Sequence, residues 1–131
     1  MAEHNKIIIK TDRAPKAIGP YSAGVKTHCF IFTAGQLGII PETGNIIEGG
    51  IESETRQALT NIKNILQEAG ASLTDVVKTT VFLRDMAEFS VMNAIYADFF
   101  KEEPPARSTI QVAALPKGAA VEIEAIAMVG E

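Results

Sequence analysis

From residue 58 to residue 69, Ala58, Leu59, Ile62, Ile65, Leu66 and Ala69 fall at i, i+1, i+4, i+7, i+8 and i+11. On a helix of 3.6 residues per turn these positions form one apolar stripe. Such a stripe needs a flat apolar partner, which in a chain this short means a sheet built by the flanking segments. The spacing predicts a helix over about 52–69, with acidic Glu52 and Glu54 in its first turn and Gly70 as its stop. Arg56, Gln57, Lys63 and Asn64 lie off the stripe and are expected in solvent.

The flanking segments read as strands. Lys6–Lys10 holds three consecutive isoleucines, and Val25–Ala34 gives one or two strands, with Cys29–Thr33 the stronger half. The latter ends at Ala34-Gly35-Gln36, where glycine permits a bulge or lets another backbone or a ligand come close. Pro15 and Gly19-Pro20 punctuate the connection between them. Tyr21 follows that corner and reads as core edge or as a placed hydroxyl, the first being favoured. Val76–Arg84 is rich in β-branched residues. Asp85-x-x-Glu88 resembles a capping box for a second helix over about 86–101, with Phe89, Met92, Ile95, Tyr96 and Phe99 on its buried side and Asn93 beside them. Two further strands follow, Pro105–Val112 and Val121–Val129, joined by a Pro116-Lys117-Gly118 turn short enough to make them neighbours.

This order makes one α+β domain over 1–131: a mixed sheet with two helices on a single face. The last strand is apolar on both sides apart from Glu122 and Glu124, so the second face also needs cover. Nothing is left in the chain to provide it, and identical copies are expected to do so.

Arg107, Thr109 and Gln111 share one face of their strand, and Glu122 and Glu124 share one face of theirs. Charges on apolar strands are costly to desolvate unless paired or ligand-bound. Two readings stand. One is a structural ion pair between strands. The other is an anion clamp, Arg107, beside a water-handling carboxylate, Glu122 or Glu124.

The remaining composition removes several classes. Twelve basic and sixteen acidic side chains leave a formal charge of −4, against the basic footprint of a nucleic-acid binder. A lone Cys29, with no internal disulfide to form, fits a reducing compartment and reads as a buried inert thiol. The N-terminus lacks a signal design and no apolar run reaches membrane-spanning length, so a cytoplasmic location is expected. His4 and His28 are isolated, which provides poorly for metal, and no phosphate-cradling glycine loop is present.

Several segments, in order, carry a resemblance. They are Ala17-Ile18-Gly19-Pro20-Tyr21-Ser22, Ala34-Gly35-Gln36, Val77-Lys78-Thr79-Thr80-Val81-Phe82, Asn93-Ala94-Ile95-Tyr96, Pro105-Ala106-Arg107-Ser108 and Ala114-Leu115-Pro116-Lys117-Gly118, followed by Glu122-Ile123-Glu124-Ala125. Over essentially its whole length the chain resembles the Rid (reactive intermediate deaminase) or YjgF family, RidA subgroup. The resemblance implies a chorismate-mutase-like α+β fold, a homotrimer with a barrel-like core, and active sites between subunits. It implies hydrolysis of 2-imino acids and their enamine tautomers, 2-iminobutanoate and 2-iminopropanoate, to 2-oxo acids and ammonia, with no cofactor. By the same resemblance Arg107 grips the substrate carboxylate, Glu122 holds the attacking water, and Tyr21, Gly35, Asn93 and Thr109 line the pocket. Relatives have also been described as endoribonucleases or translation inhibitors, and a non-catalytic small-ligand binder is a third class.

Ala34 stands where members often have serine, and Thr109 where many bacterial members have cysteine. The 102–104 loop is also shorter than in some relatives. The deaminase reading requires the Arg107 and Glu122 groups, on adjacent strands, to face one cavity that a second protomer closes. Coordinates that turn them to opposite sides of the sheet, or lock them together with no opening beside them, would remove the enzymatic interpretation.

Overall fold

The computed structural model describes residues 5–130; His4, singled out in the sequence, lies outside the described residues. Six strands form one sheet in the order β1-β2-β3-β6-β4-β5. They are β1 (Lys6–Ile9), β2 (Gly24–Thr27), β3 (Phe30–Thr33), β4 (Val76–Leu83), β5 (Ala106–Gln111) and β6 (Val121–Met128), with helices α1 (Gly50–Glu68) and α2 (Phe89–Phe99) between. All pairings are antiparallel except β4 with β5. The mixed sheet is as expected from the order of elements.

The stripe on α1 does what its spacing requires: Ala58, Leu59, Ile62, Ile65 and Leu66 have no exposed surface. They pack with Ile31, Val81 and Ile123 from the central strands and with Met92 and Tyr96 of α2. The helix stops at Gly70, whose φ of +88° an L side chain would resist. The amide of Ala71 reaches back to the Leu66 carbonyl at 2.9 Å. Ile62→Ala should lower unfolding free energy by about 2–5 kcal/mol, read as a shifted urea midpoint with an unchanged slope.

The first half of the Val25–Ala34 segment forms β2 and the second β3. Cys29 lies in the tight turn between them, half-buried, beside His28 at φ +51°. The expected capping box before α2 is a short 3₁₀ turn in which Asp85 Oδ1 accepts the Ala87 amide at 2.9 Å. That turn delays the helix proper to Phe89.

The C-terminal strands depart from expectation. β5 and β6 are not neighbours; β4 lies between them. α2 carries the chain back so that β5 runs parallel to β4, and β6 must then take the remaining free edge of β4. The connection rounds the end of β4, held where the Val112 amide meets the Leu83 carbonyl at 2.9 Å and the Arg84 amide meets the Ala120 carbonyl at 3.0 Å. The Pro116–Gly118 segment is therefore a corner and not a hairpin turn.

The helices cover one face of the sheet. Register places Ile8, Val25, Phe32 and Ile126 in a row across the other, with Phe30 and Met128 beside them. Ile8, Phe30, Phe32 and Met128 are exposed in the single chain, an apolar surface left without cover.

Candidate active site in two halves

Register decides which way each charged group looks, because cross-strand partners share a face. Arg107 pairs with Thr79, and Glu122 pairs with Phe82, three residues further along the same strand. An odd separation puts the two on opposite sides. The expectation that both face one shared cavity, closed by a second protomer, is therefore corrected: Arg107 looks toward the helices and Glu122 toward the uncovered face. A structural ion pair between them goes with it, since neither takes part in a salt bridge among the described residues.

The Arg107 half rests on α2. Its guanidinium carbon stands 4.6 Å from the centre of the Tyr96 ring and 5.5 Å from that of Phe89, within cation–π range. The Tyr96 hydroxyl and Thr79 Oγ1 are 2.7 Å apart in the core. Burial raises the Tyr96 phenol above its ordinary pKa, opposed by the Thr79 hydrogen bond and the Arg107 charge. The platform is therefore a neutral, fixed ring. Tyr96, Arg107, Pro105 and Asn93 line a cleft of about 380 Å³, with Asn93 exposed on its wall. On the same strand face, Thr109 keeps its buried Oγ1 without a hydrogen-bond partner.

The Glu122 half is built where the β3–β6 ladder opens. β3 ends at Thr33, whose hydroxyl accepts the Ala125 amide at 3.0 Å, and pairing resumes as Gln36 and Ile123 exchange backbone bonds of 2.7 and 3.0 Å. Between these points Gly35 passes beneath the Glu122 carboxylate. A Cβ on Gly35 would stand 2.8 Å from Glu122 Cδ, closer than atoms pack. The close approach at this glycine is made by the Glu122 side chain and not by the backbone or ligand expected. Glu122, Gly35, Ala34, Tyr21, Lys16 and Lys117 line a cleft of about 590 Å³.

Tyr21 is 53% exposed, so it is not core edge; its hydroxyl accepts the Ile18 amide at 3.3 Å on the rim of this cleft.

Burial, with the charge of Glu124 adding to it, raises the Glu122 carboxyl above its ordinary pKa. A raised carboxyl in the fold holds its proton more tightly than in the unfolded chain. Its contribution to stability is complete below the unfolded pKa and is lost as pH rises through the folded one. Glu122 by itself should therefore lower stability through that window, so Glu122→Gln should gain stability relative to the wild type as pH rises across it, read from melts taken at acidic pH.

The structure divides the residues singled out in the sequence: Tyr21, Gly35 and Glu122 line one cleft and Asn93 and Arg107 another, while Thr109 shares the strand face of Arg107 without lining its cleft. Two contributors went unrecognised. Tyr96 was assigned to an apolar stripe and is also the arginine's platform. Glu54, assigned to an acidic first turn, is buried, and Ala120 donates its amide to Glu54 Oε1 at 2.8 Å. Its position four residues before Ala58, in phase with the stripe, was the available signal. Among the described residues no three His, Cys, Asp or Glu side chains gather as a metal site. No helix there is long and apolar enough to cross a membrane.

Fold and clefts define a small α+β protein with two clefts on opposite sides of one sheet. A family model described as Endoribonuclease L-PSP matches residues 11–129. A RutC family protein of Pyrococcus horikoshii is 53% identical over 93% of this chain and 97% of its own. A Bos taurus protein named 2-iminobutanoate/2-iminopropanoate deaminase is 52% identical over 94% of this chain and 90% of its own. The crystal structure of Escherichia coli TdcF with bound serine superposes with a TM-score of 0.91 at 44% identity, covering 95% of this chain and 99% of that one. The chain belongs to the Rid (YjgF) family, as its resemblance to RidA implied.

Proposed function

We propose that the protein is a deaminase hydrolysing 2-iminobutanoate, 2-iminopropanoate and their enamine tautomers to 2-oxo acids and ammonia. Its sites would form between copies of the chain in a cytoplasmic homotrimer. The observation that carries the reading is Arg107: a guanidinium stacked on Tyr96, at the mouth of a cleft, with no acidic partner among the described residues. A planar fork held this way suits a carboxylate, to which it offers two parallel hydrogen bonds. The relative from Bos taurus carries the matching name, and TdcF was crystallised with serine, an amino acid bearing a carboxylate.

The opposite orientation of Arg107 and Glu122 fails the condition that the sequence reading set for an enzyme, a single cavity faced by both groups. The deaminase reading survives only in the form where the two groups come from different copies of the chain. A protomer that covers the apolar sheet face would have to present its β5 edge, with Arg107, to this chain's Glu122 cleft. Arg107 fixes the plane of the substrate carboxylate, with Asn93 and Thr109 beside it. Glu122 takes a proton from water as the oxygen adds to the C=N carbon. The carboxyl then gives that proton to nitrogen, which leaves a carbinolamine. The carboxylate takes the carbinolamine hydroxyl proton as the carbonyl forms and passes it to the amino nitrogen, and the C–N bond breaks to release ammonia. A carboxyl with a raised pKa is suited to both steps.

The test generates each imine in situ with a threonine or serine dehydratase and follows ammonia release and 2-oxo acid formation. Acceleration by catalytic amounts of protein is the expected result. No acceleration, with the same protein degrading RNA, would replace this reading by the nuclease one that the family model's description suggests.

A further inference from the structure

Glu54 is 6% exposed and has no cationic partner among the described residues, an expensive arrangement unless its oxygens are used. The use found is structural in form: Oε1 accepts the Ala120 amide at 2.8 Å. Ala120 and Val121 are fully buried and lead directly into Glu122. The same face of α1 holds the opposite wall of the cleft. Gly38 packs so closely that a Cβ there would lie 2.6 Å from Glu54 Cα. Two turns further along, Asn61 Nδ2 donates to the carbonyls of Leu37 at 3.2 Å and Ile39 at 2.9 Å. Gln57 in turn donates to Asn61 Oδ1 at 2.9 Å. One helix face thus grips both the segment that carries Gly35 and the segment that carries Glu122.

We infer that Glu54 is a positioning residue whose carboxylate, through the Ala120 amide, fixes where the Glu122 carboxylate lies over Gly35. This rests on the role given to Glu122 above. What matters at residue 54 is an acceptor at the right reach, not a charge. Gln keeps the acceptor, Asp withdraws it by one methylene, and Met removes it while filling the space. Glu122 itself faces Glu124 on its own strand and Lys16, Lys117 and Tyr21 on the cleft walls. None of these is touched by a change at Glu54.

The experiment measures the Glu122 carboxyl titration by carbon-13 NMR, assigned through Glu122→Gln, in wild type, Glu54→Gln, Glu54→Asp and Glu54→Met, alongside kcat and KM. Glu54→Gln should titrate and turn over as wild type does. Glu54→Asp and Glu54→Met should move the titration toward the ordinary carboxylate value. They should lower kcat by up to about 100-fold, the cost of misplacing a catalytic group by roughly 1 Å, with KM little changed. If Glu54→Met does not fold, Glu54→Asp decides the matter. A folded Glu54→Asp with wild-type Glu122 titration overturns the inference, as does a Glu54→Gln as impaired as Glu54→Asp. The titration is read without turnover, so an inactive wild type would sink the deaminase reading and leave this result standing or falling on its own.

Discussion

Arg107→Lys should lose most of its deaminase activity, by about 100-fold or more in kcat/KM, because misorientation alone is worth that much. Charge is retained in this variant, so a simple electrostatic attraction for the substrate carboxylate would survive. Two other properties are lost. The planar fork that fixes the carboxylate's plane is replaced by a point donor, and stacking of a flat cation over Tyr96 and Phe89 is lost. An ammonium at the same place is free to swing about its stem. Near-native kcat/KM in Arg107→Lys, measured on imine generated in situ, would show that the guanidinium is not the clamp.

The second large effect is expected at β6. Glu122→Gln should reduce kcat by about 10²–10⁴-fold, the range of general acid–base catalysis, while Glu124→Gln should stay within a few-fold of wild type. The structure separates these two carboxylates where alternation could not. Both lie on the uncovered face, but Glu122 sits half-buried above Gly35 in the cleft, and Glu124 is exposed outside its lining. The acid limb of the kcat/KM profile should lie above the ordinary carboxylate range, since burial and the Glu124 charge both raise the Glu122 pKa. Loss of the Glu124 charge should lower that limb slightly. A greater loss in Glu124→Gln than in Glu122→Gln would reverse the assignment. Because Arg107 and Glu122 of one chain face apart, mixing Arg107→Lys with Glu122→Gln subunits should restore part of the activity that each lacks alone. No recovery after verified subunit exchange would mean the site does not draw the two groups from different copies.

The helical stripe, the strands and the single helical face were legible in the chain because each follows from local periodicity. Burial of Ala58, Leu59, Ile62, Ile65 and Leu66 needed no knowledge of what they pack against. Gly35 was legible as a place of close approach, since the absence of a side chain is itself the signal. Glu54 was misread because an acidic residue near a helix start has a common local explanation, and its true partner, the Ala120 amide, is 66 residues away. Tyr21 was misread for the opposite reason. An aromatic beside a rigid corner usually packs, but here the 15–22 segment runs along the edge of a cleft and leaves the ring half in solvent.

By itself, the sequence determined the elements, their order, the family, and the charged residues from which the proposed chemistry is drawn. Tertiary structure alone decided the strand order, and with it the relation between the two charged groups. Periodicity fixes which residues share a face of one strand, but not which face of the sheet a second strand presents. That depends on pairing and register, and the insertion of β4 between β5 and β6 set Arg107 and Glu122 back to back.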